Sequence, residues 1–136
     1  MADDGKFFDL EIITPDRVFW SGKASMLEMN TTEGQVGIYK KHIPMTMIIA
    51  PGVLTITEED GTKKKAALLK GFVEVTETTM SILAEVAEWP EDIDVERAKK
   101  AEERARKRLE AKSADIDIAR AELALKRALV RKGLKA

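Results

Sequence analysis

The sequence predicts a β-sandwich or flattened barrel followed by an antiparallel two-helix hairpin. Seven of the 8 glycines and all 4 prolines lie at or before Pro90, with most of the Val, Ile, Thr and Phe. Beyond Pro90 there is no proline, and Gly133 is the one glycine. Apolar residues alternate before Pro90 and recur every three or four positions after it. No helical pattern intervenes between the predicted strands, which argues against a parallel α/β sheet.

Phe8–Ile12 alternates apolar and polar, and Thr14-Pro15-Asp16 turns. Arg17–Trp20 is a brief second strand stopped by Ser21-Gly22-Lys23, and Ala24–Asn30 alternates again. Thr32-Glu33-Gly34 and Val36-Gly37 read as turn or bulge points. Met45–Ile49 leads to the turn pair Pro51-Gly52, and Gly52–Thr57 alternates through Val53 and Ile56. Glu58-Glu59-Asp60-Gly61 is a hairpin loop, because Asp-Gly tolerates the positive φ of tight turns. Thr62–Leu69, Gly71–Thr76 and Thr79–Val86 complete roughly nine short strands.

The first predicted helix, Val95–Lys112, has a seam at Val95, Ala98, Ala101 or Glu102, Ala105 and Leu109. The second, Ile116–Lys132, has one at Ile118, Ala121, Leu125, Ala128 and Leu129. Asp94 and Asp115 are the predicted N-caps, and Ser113-Ala114-Asp115 is a link short enough to force an antiparallel hairpin. The segment Asp92-Ile93-Asp94-Val95-Glu96-Arg97-Ala98 recurs as Asp115-Ile116-Asp117-Ile118-Ala119-Arg120-Ala121, with acids at each positive helix end. Alanine seams bury little area, so the hairpin is expected to be marginal alone and cheap to move. The expected division is a sandwich over 1–88 and a hairpin over 89–136.

With 136 residues, the chain supports one modest domain and an appendage. It has no Cys and one His, which excludes a disulfide framework, a Cys nucleophile and a multi-histidine metal centre. The apolar stretch Ile43–Leu54 is interrupted by Pro44, Pro51 and Gly52, too short and broken for a membrane span. The start, Met1-Ala2-Asp3-Asp4-Gly5, lacks the basic and apolar regions of a secretory signal. Residues 1–90 carry 9 Lys/Arg against 14 Asp/Glu, and residues 91–136 carry 14 against 10. An acidic first part and a basic tail point to an anionic partner for the tail.

No residue set reads as catalytic. His42 has no neighbouring nucleophile, and Gly34-Gln35-Val36-Gly37 lacks the Lys-Ser/Thr and helix of a phosphate loop. The tail lacks interleaved aromatics for stacking on single-stranded nucleic acid. One cluster stands apart. Asp94, Arg97, Ala98 and Arg104 lie along one side of the first helix, and Arg127 and Arg131 are i,i+4 on the second. Folding the hairpin brings these guanidiniums together, and forked donors suit a phosphate. Ala98 leaves room for a ring, while Glu88 and Asp94 can accept from an amine or hydroxyls. An alternating-sign, solvated helix face is the competing account of the same charges.

Five segments in order add specificity: Glu33-Gly34-Gln35-Val36-Gly37-Ile38-Tyr39-Lys40-Lys41-His42-Ile43-Pro44, Ala50-Pro51-Gly52-Val53-Leu54-Thr55-Ile56, Gly71-Phe72-Val73-Glu74-Val75, Ile82-Leu83-Ala84-Glu85-Val86-Ala87-Glu88, and Asp92-Ile93-Asp94. The ordered set closely resembles the epsilon-subunit family of bacterial and chloroplast F-type rotary ATP synthases, from Phe8 to Arg131. The resemblance implies a ten-stranded β-sandwich and a helical hairpin in a non-catalytic, central-stalk subunit. It implies a sandwich packed on the gamma subunit and the c-subunit ring, at the cytoplasmic face of the cell membrane, with no insertion into the bilayer. It implies a hairpin that either folds on the sandwich or extends toward the alpha and beta subunits and inhibits ATP hydrolysis. The basic face for the acidic beta loop would be Arg106, Lys107, Lys112, Lys126 and Lys132. Several members bind ATP through an Ile/Leu-Asp-x-x-Arg-Ala motif, here Ile93-Asp94-Val95-Glu96-Arg97-Ala98. The resemblance adds Glu88, Arg104, Arg127 and Arg131 to that site, gives no metal ligands, and leaves any Mg requirement and the coupling ion, proton or sodium, open. Gln35 and His42 map to the rotor-facing rim, although Lys40-Lys41 replaces a common Pro-Gly and Asn30-Thr31-Thr32-Glu33 a Pro-containing turn. The alternative class is a nucleic-acid or polymerase-associated factor probing with a basic hairpin.

Overall fold

The computed structural model describes residues 6–40, 44–111 and 117–135. These contain seven strands: β1 (Phe8–Thr14), β2 (Arg17–Thr31), β3 (Gly34–Tyr39), β4 (Met45–Ile49), β5 (Gly52–Glu58), β6 (Lys63–Val75) and β7 (Thr79–Glu88). A single 3-10 turn at Pro90–Asp92 leads into α1 (Val95–Ala111), and α2 (Ile118–Lys135) follows.

The architecture is the expected sandwich and hairpin, but the described strands number seven, not the ten that the resemblance implies; the roughly nine read from alternation fall to seven because β2 and β6 each join two predicted strands. β2 runs through Ser21-Gly22-Lys23, where Gly22 pairs with Leu10 of β1, so the predicted stop is ordinary strand. β6 runs through Lys70-Gly71, where the register against β7 shifts in a bulge. Gly71 there has a φ of 144°, and an added Cβ would lie 2.2 Å from the Leu83 carbonyl oxygen. Only glycine fits, and the bulge bends the strand without ending it. Val36-Gly37 is likewise paired strand, opposite Met29 and Glu28.

Bending lets β2 and β6 serve both layers. The first half of β2 pairs with β1 and its second half with β3 and β5. The first half of β6 pairs with β5, its second half with β4, and most of it with β7. β1 closes the structure by pairing antiparallel with β2 and parallel with β7. Between the layers lies an aliphatic core of Leu10, Ile12, Leu27, Ile38, Leu54, Ile56, Leu68, Val73 and Ile82, each at most 1% exposed. Phe19 and Trp89 stack at 4.3 Å and 13°, tying the exit of β7 to β2.

The β6 run Ala66–Leu69 is buried on both faces. Ala66 and Leu68 enter the sandwich core, while Ala67 and Leu69 join Ile93 in a second apolar cluster on the outside. Val130 and Leu134 of α2 cover that second cluster, with Val86. The hairpin is therefore docked by the last turns of α2, and the principal packing of α1 is against α2.

Asp94 caps α1, its Oδ1 accepting from Arg97 N–H at 3.1 Å. The cap of α2 is Asp117, accepting from Arg120 N–H at 3.1 Å, rather than Asp115, which lies outside the described residues with His42 and Lys112. Ala98, Ala105, Ala121 and Ala128 are the buried seam residues of the hairpin. Ile118 and Leu129, predicted as seam, are instead 52% and 41% exposed. They fall on the solvent side because α2 turns Ala121 and Ala128 to α1 and Val130 and Leu134 to the sandwich. Among the described residues no helix is long and apolar enough to cross a membrane.

Candidate functional site

A cleft of about 310 Å³ opens where β7, the 3-10 turn and the two helices meet. It is lined by Glu88, Asp92, Asp94, Arg97, Ala98, Ala101, Arg104 and Arg131. That volume is at the lower end of the range for small-molecule sites, roughly 300–1,000 Å³.

Local structure explains the convergence. The Asp94 cap starts α1 immediately after the 3-10 turn, which leaves Arg97, Ala101 and Arg104 on one side at i, i+4 and i+7. Ala98 is buried, and its small side chain keeps the floor of the cleft low. Across the cleft, Arg131 of α2 donates through Nε to Glu88 Oε1 at 2.6 Å, both side chains being less than one-third exposed. Among the described residues neither Arg97 nor Arg104 has an ion-pair partner. Two free guanidiniums facing a third is an arrangement that an anion stabilises. The carboxylates of Asp92 and Asp94 share the cleft and offer acceptors to a ligand's N–H or O–H groups.

Six of the eight residues predicted for ATP thus share one cleft: Glu88, Asp94, Arg97, Ala98, Arg104 and Arg131. Ile93 is 4% exposed and lies in the outer apolar cluster, where it holds the start of α1 against β6. Arg127 is half-buried on α2, one turn before Arg131, and is not part of the lining. Asp92 and Ala101 were not predicted. Ala101 was legible as the position between Arg97 and Arg104, but the turn that aims Asp92 inward had no sequence signal.

The basic residues divide. Lys107 and Lys126 are exposed. Glu102, in the seam between the alanines, accepts from Lys132 Nζ at 2.5 Å across the hairpin and from Arg106 Nη2 at 2.8 Å along α1. The hydrogen bonds from Lys132 and then Arg106 hold the Glu102 carboxyl below its ordinary pKa.

A second surface lies on the outer face of the sandwich. Ile48 pairs with Phe72, Phe72 with Leu83, Leu83 with Ile13, and Ile13 with Val18. Ile48, Phe72, Leu83 and Val18 are each at least 40% exposed. They form an apolar row across five strands, and a groove of about 280 Å³ runs beside Ile13, Phe72 and Leu83. Gln35 is exposed at the start of β3, after a turn in which Thr31 Oγ1 donates to Gly34 O at 2.8 Å.

Family models match nearly the whole chain. Residues 7–90 match the beta-sandwich domain of the ATP synthase delta/epsilon chain, and residues 91–131 match its long alpha-helix domain. The ATP synthase epsilon chain of Caldanaerobacter subterraneus subsp. tengcongensis is 44% identical over 93% of this chain and 91% of its own. That of Shouchella clausii is 46% identical over 90% of each. Among solved structures, a chain of the Euglena gracilis mitochondrial ATP synthase, from a structure containing OSCP, F1 and the c-ring, superposes with a TM-score of 0.82 at 25% identity. The superposition covers 94% of this chain and 81% of that one. A chain of the Tetrahymena thermophila central stalk and c-ring structure shares the fold, with a TM-score of 0.69 at 14% identity over 95% and 96%. Two consecutive domain matches, relatives above 40% identity along most of the chain, and the sandwich-and-hairpin architecture agree: the chain belongs to the epsilon-chain family of the F-type ATP synthases.

Proposed function

We propose that this chain is a non-catalytic rotor subunit whose hairpin reports ATP and restrains ATP hydrolysis when it leaves the sandwich. The cleft carries this reading. Its walls come from β7, α1 and α2 together, so a ligand bound there is favoured only while the hairpin is closed. Arg97 and Arg104 suit a polyphosphate, and Asp92 and Asp94 suit the amine and hydroxyls of a nucleoside. ATP is the ligand that joins these chemistries in an ATP synthase, with Arg127 reaching the phosphates after a side-chain rotation.

The apolar row Ile48–Phe72–Leu83–Ile13–Val18 suits a permanent protein partner, because scattered apolar residues are common on surfaces but a contiguous row is not. The gamma subunit is the proposed occupant, with the c-subunit ring near Gln35 and His42. An open hairpin would present Lys107, Lys112, Lys126 and Lys132 to the alpha and beta subunits. The assembled position is peripheral, on the cytoplasmic face of the membrane, during synthesis driven by proton or sodium flow.

Isothermal titration of the full chain with ATP, with and without Mg, tests the sensor. Saturable binding that also raises the hairpin's thermal stability supports it. No heat and no thermal shift at millimolar ATP would reduce the cleft to a solvated helix face.

A further inference from the structure

Among the described residues, one ion pair crosses between the two helices of the hairpin. Glu102 occupies the position between Ala98 and Ala105, and its side chain is only 13% exposed. Lys132 follows Ala128 by one turn on α2, is 35% exposed, and donates to Glu102 Oε1 at 2.5 Å. The other partner, Arg106, contacts Glu102 Oε2 from the same helix, one turn on, and is 53% exposed. The two cations differ in kind. The Arg106 contact is intrahelical and survives any motion of α1 relative to α2. The Lys132 contact is interhelical and exists only while the helices lie together.

We infer that Glu102 is a latch that masks an acidic-partner surface: it holds the hairpin closed through Lys132 and withholds that cation from carboxylates on another protein. This rests on the movable hairpin proposed above. The seam around the pair is alanine, which buries little area, so one charge-assisted hydrogen bond is a large share of what joins the helices. When the helices part, Glu102 keeps Arg106 as a partner, while Lys132 has none from α1. The opened hairpin therefore gains one available positive charge on α2, while Arg106 stays neutralised. A partner surface rich in Asp and Glu is the complement, and it competes with Glu102 for the same ammonium. The closed state lowers the apparent affinity for such a partner by the fraction of molecules that are open.

The absence of Cys makes the test direct. Cys substitutions at the exposed Glu77 and Glu110 carry a spin-label or dye pair that reports the distance from sandwich to hairpin. Glu102→Gln and Lys132→Gln should each raise the open population about five-fold or more, and the double variant should add little to either. Arg106→Gln should change it less than about two-fold, because its contact does not bridge the helices. Binding of poly-L-glutamate at low salt should tighten about three-fold or more in Glu102→Gln, and Lys132→Gln should remove the gain. Helical circular dichroism retained in Lys132→Gln keeps the test valid if Glu102→Gln loses helix. Opening by Arg106→Gln equal to that by Lys132→Gln overturns the latch. A wild type that populates two distances unaffected by Glu102→Gln overturns the latch but leaves the movable hairpin standing. A single closed distance in every variant overturns both.

Discussion

Arg131 and Glu88 are 43 positions apart, yet Arg131 Nε lies 2.6 Å from Glu88 Oε1. The contact fastens the end of α2 to the end of β7, beside the apolar cluster that Val130 and Leu134 cover. Glu88 is therefore engaged before any ligand arrives, and its first role is to aim Arg131 into the cleft. Partly buried and charge-assisted, the pair is worth about 0.5–1.5 kcal/mol. A double-mutant cycle with Glu88→Gln and Arg131→Gln should return that coupling, measured by hydrogen exchange over Val130–Leu134. Additive effects would mean the two side chains act independently.

Asp94 both caps α1 and lines the cleft. Asp94→Ala removes both roles and costs about 1 kcal/mol of helix stability. Asp94→Asn keeps the cap, since the amide oxygen accepts the same N–H. Asn should hold helicity at wild-type level and weaken ATP binding about ten-fold, about 1.4 kcal/mol. Arg97→Ala should weaken it at least as much without touching the cap, which uses the backbone N–H. Calorimetric titration beside circular dichroism separates the roles; wild-type ATP affinity in both variants would leave Asp94 as a cap alone.

Gly71→Ala should destabilise the sandwich by more than about 2 kcal/mol. The added methyl would meet the Leu83 carbonyl oxygen at 2.2 Å, in a backbone conformation that L-residues avoid. Urea unfolding should show a lower midpoint with an unchanged slope. Gly133→Ala, with nothing within 4 Å of its added methyl, is the contrasting control and should be neutral or slightly stabilising.

A sandwich fragment should end at Pro90 rather than Glu88. Stopping at Glu88 deletes Trp89, whose ring stacks on Phe19 at 4.3 Å. The stack contributes about 0.5–1.5 kcal/mol beyond its buried area. The longer fragment should melt at least about 4 °C higher. Equal melting points would assign Trp89 to the hairpin instead.

Acid should open the hairpin. The Glu102 carboxyl has its pKa lowered by Lys132 and Arg106, so the folded state favours its ionised form. The stabilisation is complete above the ordinary carboxylate range and is lost as pH falls through the lowered pKa. The distance between labels at Glu77 and Glu110 should lengthen over that acidic window, and Glu102→Gln should weaken the dependence.

Much of the architecture was legible because alternation and helical period are local properties. The texture change at Pro90 separates strands from helices, and Asp94 read correctly as a cap from its place before Val95. Strand count was not legible. Ser21-Gly22-Lys23 has the composition of a turn, but pairing with β1 keeps it extended, and Gly71 marks a bulge that looks in sequence like a break. Of the six cleft residues, Asp94, Arg97, Ala98 and Arg104 were reached because they follow one side of α1, and Arg131 from its spacing on α2; Glu88, at the end of β7, was reached as an acceptor and through the family resemblance, not from helical spacing. Glu102 and Ala101 were interchangeable as seam residues on periodicity alone. Which one faces α2 depends on the rotation of α1, set by Ala98 and Ala105 meeting Ala121 and Ala128. Whether Lys132 is solvated or paired depends on the same rotation.

The parallel pairing of β1 with β7 joins Asp9 to Thr79 and Ile13 to Leu83. A chain growing from its N-terminus has made β1 long before its neighbour exists. Until residues 79–83 emerge, β1 has only β2 beside it and is an open edge of the sheet. Closing so long a loop defers the reward for ordering the strands, so folding is expected to be slow and all-or-none. The apolar row spans that same junction through Ile13 and Leu83. A partner that binds the row therefore selects chains whose strand closure is complete, which makes assembly its own check on folding.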